Sequence, residues 1–414
     1  MALVAPIALC GFVAAARNGN EEVDAIDVYW LLWTLFFVVR PAQTLVGNSA
    51  MLYAARAPFH YDPDIILLTF AALYIFSIVM LVLLPRTGRA AQVAEVAPPP
   101  GLLLFAALVG FAMTVAFSGD LGNLLAPRYD KQADQISPLV AAGQGVLIAS
   151  TVMMTAALAG SRRRGAADVF ALLCCLSLLA VAFNPLNTSR FGLVGAWLPI
   201  ALIAVPAIRK PVVFATITLL SIVVVMPVLS VTTRFGWDLD RVLNSRERGS
   251  LVEIPYIDTF DTLLHGVYFA HHFGMQFGAK ILSILLCFVP RGWWADKPSV
   301  SGLDIGNQLF VQGLVGTPNL SMPIIGDFYM DFGLCGVVFG AVAVALAFRA
   351  LLRVQPSVAG YPVYGYLLIG ALPIVVRGAV GAVILLPACT ILACALLSAL
   401  SRREARAPSE RVVA

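Results

Sequence analysis

Two arginines stand where an arginine is costly. Arg377 lies in Val375-Val376-Arg377-Gly378 near the end of an apolar run, and Arg190 closes the turn Asn184-Pro185-Leu186-Asn187-Thr188-Ser189-Arg190 between two others. An arginine at the centre of a membrane helix costs roughly 2.5–3.5 kcal/mol on insertion scales, so it turns toward a wet or polar cavity. Its guanidinium keeps its charge at every relevant pH and grips phosphate or carboxylate in a planar fork. Anion binding is therefore the expected chemistry; a snorkelling or salt-bridged arginine is the structural alternative.

Three further groups stand out. In Pro290-Arg291-Gly292-Trp293-Trp294-Ala295-Asp296-Lys297-Pro298, two cations, a carboxylate and two indoles sit between prolines. This suits an anchored turn with Trp293 and Trp294 in the membrane interface while Arg291 and Lys297 meet an anion; a lipid-headgroup anchor has the same composition. In Gly326-Asp327-Phe328-Tyr329-Met330-Asp331-Phe332-Gly333-Leu334-Cys335-Gly336, Asp327 and Asp331 are four apart and share one helix face, with Tyr329 close by. Acids in a first turn also simply favour the positive end of the helix dipole. Of the histidines, His265 and His272 are seven apart, near one helical face, and His271 points elsewhere. Without an HExxH or similar spacing they predict no metal site; a hydrogen-bonded interfacial histidine and a general base for a sugar hydroxyl are both open.

The elements that hold these residues are membrane helices. Of 414 residues 60% are hydrophobic and 12% charged, and the mean hydropathy is +0.89. Soluble domains carry about 25% charged residues, so a soluble enzyme, a disordered protein and a secreted disulfide scaffold are excluded. Continuous apolar runs disfavour a membrane β-barrel. The net charge of +4 does not indicate nucleic acid. All cations but four lysines are arginine, a bias that a high-GC genome also produces. The cysteines, among them Cys174, Cys175, Cys389 and Cys394 in apolar runs, show no metal spacing and read as packing residues. At roughly 20 residues per span the predicted spans are 2–16, 28–47, 65–84, 101–117, 136–160, 169–183, 191–208, 212–231, 326–348, 362–380 and 381–400. The stretch 40–64, with Arg40, Pro41 and Arg56, interrupts this pattern. Basic clusters at Arg86 and Arg89, Arg162 to Arg164, Arg209 and Lys210, Arg349 and Arg353, and Arg402, Arg403 and Arg406 fall on one side if spans alternate. The positive-inside rule makes that side the cytoplasm.

Four blocks follow: an N-terminal bundle 1–231, an outward (periplasmic) loop 232–325, C-terminal spans 326–400 and a cytoplasmic tail 401–414. The loop holds three of the four histidines and Arg234, Arg241, Arg246 and Arg248. Loops this long are functional or disordered, and aromatics such as Tyr256, Phe260 and Tyr268 argue against disorder. From Ile257 to Leu285 apolar residues recur at helical spacing (Ile257, Phe260, Leu264, Val267), which predicts amphipathic helices lying at the membrane–water interface.

The mid-chain outward arginine, the loop closing on Pro290–Pro298 and the motif from Gly326 to Gly336 together resemble the Wzy-type oligosaccharide repeat unit polymerases. These are bacterial inner-membrane enzymes of O-antigen and exopolysaccharide assembly. The motif-level resemblance covers residues 290–336; Asp327 replaces the Glu, and Asp331 the Asn, often found in such proteins. It implies an all-α, polytopic, GT-C-like bundle of about 11–12 transmembrane helices with one large periplasmic loop, working without metal or other cofactor. Donor and acceptor would be undecaprenyl-pyrophosphate-linked oligosaccharides, with membrane lipids, a flippase and a chain-length regulator as partners. Arg190, Arg291 and Arg377, assisted by Lys297, are then expected together at the outer mouth of the bundle. There they would stabilise negative charge developing on the leaving diphosphate. Trp293, Trp294 and Tyr329 offer stacking faces for sugars, and Asp296, His271 and Asp327 are the candidates to take the acceptor proton. An O-antigen ligase is the nearest alternative. A lipid-linked glycan transporter or flippase is the alternative of another class, although such proteins usually show internal repeats where this chain has a single asymmetric loop.

Overall fold

The computed structural model describes residues 2–18, 21–47, 55, 58–86, 92–96, 98–126, 137–161, 165–226, 228–229, 257–290, 292–316, 318, 320–378 and 380–410. Arg291, Arg56, Arg89, Arg162 to Arg164 and the stretch 230–256, with Arg234, Arg241, Arg246, Arg248 and Tyr256, lie outside them. Helix dominates. In chain order the helices are α1 (Ala5–Asn18), α2 (Ala25–Gly47), α3 (Pro63–Leu83), α4 (Pro100–Ser118), α5 (Pro138–Gly160), α6 (Ala166–Ala182) and α7 (Arg190–Ala204). Then come α8 (Pro211–Val225), α9 (Thr259–Phe273), α10 (Ala279–Leu285), α11 (Ser301–Val311), α12 (Ile324–Arg353), α13 (Val363–Arg377) and α14 (Leu385–Glu410). Six helices are long and apolar enough to cross a membrane: α2, α3, α4, α5, α12 and the Leu385–Arg402 part of α14. Shorter apolar helices are Ala5–Ala16 in α1, α6, α7, α8 and α13. The chain is a multi-pass, all-helical membrane protein in composition and secondary structure. The described residues also include a parallel strand pair, β1 (Gln92–Val96) and β2 (Val354–Val358), in register from Gln92 opposite Val354. The Glu95 carboxylate accepts from the Ser357 hydroxyl and from the Gly360 N–H at 3.2 Å.

Several helix starts follow from local chemistry. Proline occupies the first helical position of α3, α4, α5 and α8, where its missing N–H breaks no bond and its φ is already helical. Asp24 and Asp27 form a reciprocal capping box on α2, satisfying two otherwise orphaned donors.

Contacts divide the chain into two compact units that interleave the sequence blocks. The first comprises Met1–Gly88, Arg246–Leu351 and Leu372–Ile384; the second comprises Arg89–Ser245, Leu352–Ala371 and Leu385–Ala414. In the first, α1, α2 and α3 enclose an aromatic core. Trp33 stacks on Phe76 with centroids 5.3 Å apart, and its indole N–H donates to Ser77 at 3.0 Å. Midway, α2 passes through a π turn over Leu35–Val39, immediately before Arg40. Such a turn inserts one residue into the helical register, and Arg40, 4% exposed, faces inward.

α12 is also irregular. Phe332 (φ −142°, ψ 19°) and Gly333 (φ 60°, ψ −146°) break its helical path. The glycines of this motif have packing reasons. A Cβ on Gly326 would lie 2.1 Å from the Met322 sulfur, and one on Gly336 would lie 2.2 Å from the Phe328 carbonyl. Gly333 alone needs the positive φ that side chains resist.

The region after residue 257 corrects one expectation. α9 does not present a free apolar face to an interface. It packs against α2, α3 and α11, and Phe260, Leu263, Leu264 and Val267 are each at most 2% exposed. The acidic end of its polar stripe, Asp258 to His265, is buried as well.

In the second unit, α4 and α5 cross at a pair of glycines. A Cβ on Gly143 would stand 2.7 Å from the Gly110 carbonyl oxygen, and one on Gly110 the same distance from that of Gly143. Small residues let membrane helices approach closely where lipid offers no hydrophobic drive for association. The two single alanine substitutions in α4 and α5 should therefore differ in sign. Gly143→Ala should lower the melting temperature in detergent, as overpacking costs about 1–3 kcal/mol. Gly101→Ala, whose Cβ meets nothing within 4 Å, should leave it unchanged or raise it through helix propensity. Equal melting temperatures would count against a tight α4–α5 crossing.

Candidate functional site

The polar residues of the first unit converge on one helix. Asp258, Asp261, His265, Tyr268 and His272 recur at intervals of three or four along α9 and its N-terminal flank, a single stripe on a helix of 3.6 residues per turn. The acids lie at its buried end: Asp258 and Asp261 are both 0% exposed. A carboxylate in such a place needs a partner or must neutralise, and each has an arginine.

Asp261 accepts from Arg40 Nε at 2.6 Å, with Arg40 Nη2 at 2.5 Å, and from the Thr44 hydroxyl at 2.8 Å. The Arg40 side chain is only 5% exposed. This pair is sealed, and burial still pushes the Asp261 carboxyl up to about 6, against the pull of Arg40 and Thr44. Asp258 accepts from Arg377 Nη2 at 3.1 Å, while Arg377 Nη1 donates to Ser321 Oγ at 2.9 Å. Here the arginine side chain is 12% exposed. Both arginines are fixed in direction, and Arg377 retains the larger exposed surface of the two.

Half-way along the stripe, His265 (4% exposed) meets Tyr61, whose hydroxyl lies 2.7 Å from its Nδ1. Burial lowers the imidazole to about 4, so it is neutral at pH 7. It also raises Tyr61 well above the ordinary phenol value, aided by the charge of Asp261. With a neutral ring, the phenol donates to Nδ1 and the proton sits on Nε2, or the reverse tautomer holds. Rings surround the pair: Phe59 lies 5.5 Å from His265, Tyr268 5.4 Å from His265 and 5.8 Å from Tyr61, and His272 4.0 Å from Tyr268. Phe59, Tyr61 and Tyr268 are half-buried and His272 is exposed. An arginine, a neutral imidazole and aromatic faces graded from core to surface can hold an anion, exchange a proton and stack a sugar ring.

The sequence-predicted residues are distributed differently. Arg377 belongs to this cluster. Arg190 opens α7, behind its N-cap Ser189, in the second unit, and Arg291 lies outside the described residues. His271 is exposed and its ring lies 5.2 Å from that of His272; the buried histidine is His265. Asp296 is exposed and Trp294 intermediate, while Trp293 is 86% exposed. Trp293 N–H donates to the Pro290 carbonyl at 3.0 Å. Lys297 Nζ donates to the carbonyls of Cys287 (3.3 Å) and Val289 (3.0 Å).

Asp327 and Asp331 share a face as expected, but both are staples. Asp331, 0% exposed, accepts from the N–H groups of Lys280 (3.0 Å) and Ile281 (2.8 Å) and caps α10. Asp327, 2% exposed, accepts from the Ser301 hydroxyl at the start of α11 through Oδ1, and its buried Oδ2 has no hydrogen-bond partner. Tyr329 is 4% exposed. Sequence reasoning missed Arg40, Asp258, Asp261 and Tyr61. The signal was present: the apolar periodicity of 257–285 has a polar counterpart one-third of a turn away, and Arg40 breaks an otherwise apolar run.

Among the described residues no three His, Cys, Asp or Glu side chains gather as a metal site would require. Comparison of the chain with protein-family models, with curated proteins and with solved structures gives no match.

His265 and Asp261 titrate with opposite consequences. His265 drops from 6.5 to about 4 on folding, so its contribution to stability is complete above 6.5 and lost as pH falls toward 4. Asp261 rises from 3.8 to about 6, so its contribution is complete below 3.8 and lost as pH rises through 6. Between pH 4 and 6 the two slopes oppose. His265→Gln removes one. The stability of this variant should fall as pH rises from 4 to 6, and the parent's advantage over it should grow by about 3 kcal/mol by pH 6.5. Parallel pH profiles of melting temperature would show that His265 is not buried as a neutral base.

Proposed function

We propose that the chain joins lipid-linked oligosaccharide repeat units at the periplasmic face of a bacterial inner membrane, as a metal-independent glycosyltransferase of the Wzy type. The observation that supports this best is Arg377. It is a permanently charged fork, aimed by Asp258 and Ser321, partly at the surface, in an otherwise apolar helical unit, with a neutral histidine and sugar-sized aromatic faces on the helix that aims it.

The chemistry needs these parts. The bond from the donor sugar C1 to the diphosphate oxygen breaks, the acceptor hydroxyl oxygen bonds to C1, and the hydroxyl proton passes to a base. Undecaprenyl pyrophosphate leaves. Negative charge grows on the diphosphate, and a guanidinium already oriented there stabilises the transition state more than the ground state. Because Asp258 offsets one unit of Arg377's charge, a diphosphate calls for further cations, and Arg190 and Arg291 remain the proposed ones. For the base, His265 replaces His271, being neutral at pH 7 and held by Tyr61. Asp296 and Asp327 remain alternative proposed bases, and Lys297 and Tyr329 proposed substrate contacts. A flippase and a chain-length regulator would be the partners of such an enzyme.

Purified protein incubated with undecaprenyl-pyrophosphate-linked repeat units should yield a ladder of lengthening glycans. Transfer only onto added lipid A core would identify a ligase, and flux across vesicles without elongation a transporter. Arg377→Ala and His265→Ala should each lower elongation by about 10²–10³-fold, the usual loss on removing one stabilising donor or base, while His271→Ala retains the ladder. A full ladder from Arg377→Ala removes that residue from the site. EDTA should leave the ladder intact; a loss restored by added divalent metal would overturn the metal-independent mechanism.

A further inference from the structure

Helix α10 is inside out. Its lysine and serine face the protein, with Lys280 3% and Ser283 2% exposed, whereas Leu282 and Leu285 face outward at 39% and 64%. The inward side is fully occupied: Lys280 pairs with Asp304, which also accepts from the Ser299 hydroxyl, and Asp331 caps the first turn. The outward apolar side continues beyond the helix. Phe277 before it is 81% exposed and Phe288 after it 55%. Phe277 holds φ at +47°, a conformation that costs a non-glycine residue roughly 1–2 kcal/mol. Its backbone is pinned there by donating to the Asp331 carbonyl at 3.2 Å, beside Gln276 donating to that of Met330 at 2.8 Å. A chain that strains its backbone to expose a phenylalanine, and buries a lysine to expose leucines, is not facing water.

What it faces follows from its neighbour. The turn before α10 rests on the kink of α12: a Cβ on Gly278 would lie 3.4 Å from the Phe332 ring. Phe332 is 46% exposed, and the exposed apolar surface runs on along α12 through Val338 (40%) and Phe339 (75%). α12 is among the helices long and apolar enough to cross a bilayer, with 30 residues. Its path is broken at Phe332–Gly333, so the stretch before the break, Ile324–Asp331, is about 12 Å long, and α10 meets α12 near that end and not at its middle.

We propose that α10 and its flanking turns form a lipid-immersed foot lying in the plane of one leaflet boundary, with Phe277, Leu282, Leu285 and Phe288 among the acyl chains. The occupant of this surface is the bilayer itself. The foot adds no span, and it stands independently of the glycosyltransferase reading.

The full-length chain, in a background with native cysteines replaced by alanine, carries a nitroxide at Phe277→Cys, at Leu285→Cys or, for reference, at the exposed Asn307→Cys. It is reconstituted in phosphatidylethanolamine–phosphatidylglycerol vesicles. Oxygen partitions into hydrocarbon and a nickel chelate stays in water, so power saturation reads depth. Sites 277 and 285 should lie about 5–10 Å into the headgroup–acyl boundary, as interfacial helices do, and site 307 in water. Chelate access at 277 and 285 equal to that at 307 overturns the foot. Exclusion of both reagents also overturns it, since protein, such as a second copy, would then cover the surface. If the cysteine-free background fails to fold, the unmodified chain is labelled with a carbene precursor dissolved in the acyl region. Adducts between residues 277 and 288 support the foot, and their absence while α12 is labelled refutes it.

Discussion

A carboxylate sealed in an apolar helical unit has to be answered by a cation, and α9 seals two of them one turn apart. Asp258 and Asp261 are both wholly buried, and leaving either uncompensated would cost about 3–5 kcal/mol. The answers come from far along the chain: Arg40 precedes Asp261 by 221 residues and Arg377 follows Asp258 by 119. Two ion pairs thus fix which faces of α2 and α13 look toward α9. Neither need stabilise the fold much on balance, since desolvation offsets Coulomb attraction, but each excludes any other register. The difference in exposure between the two arginines, 5% against 12%, leaves Arg377 the larger surface of the two.

The same logic extends through the segment between α9 and α12. Membrane helices gain little from burying apolar surface against one another, because lipid is as apolar as leucine. Polar staples and close backbone approaches therefore carry the specificity. Asp327 holds α11 by Ser301, Asp331 holds α10 by two backbone N–H groups, and Lys280 ties α10 to Asp304. The backbone does the rest: a Cβ on Gly302 would be 2.0 Å from the Leu320 carbonyl, and on Gly306 1.8 Å from that of Pro318. The two aspartates that look like paired acids in the sequence thereby serve the architecture.

Much of the helical layout was legible, because long apolar runs leave a chain few alternatives. Each predicted span overlaps a helix, and among the described residues six of these helices are long and apolar enough to cross by length and composition, the others being shorter apolar helices. The site was less legible. His265 and His271 are both histidines on one helix, and only packing separates the sealed ring from the exposed one. Asp261 and Arg40 are a buried pair that no local pattern links, since complementarity across 221 residues leaves no periodic trace. Tyr329 and Asp327 belong to a dense motif, yet the density reflects close packing around glycines at 326, 333 and 336. Composition identifies where unusual residues cluster; it does not say whether they face a ligand or one another.

α9 and α10 make that point in opposite directions. Both alternate apolar and polar residues at helical spacing, which predicts a face for each but not which face turns inward. In α9 the apolar face is enclosed and the polar stripe is buried at its acidic end and open at His272; in α10 the polar face is enclosed and the apolar one is left outside. Exposed leucines and phenylalanines would each forfeit about 1.5–3 kcal/mol of burial in water, whereas against acyl chains the loss vanishes and Lys280 is better off inside with Asp304. α12 connects the two helices rigidly, through Asp331 to α10 and through Asp327, Ser301 and α11 to α9. The depth at which α10 rests therefore fixes the height of the α9 polar stripe relative to the hydrocarbon. On the proposed reading, that is where a diphosphate carried on a membrane lipid presents itself, within reach of a guanidinium that α9 itself has aimed.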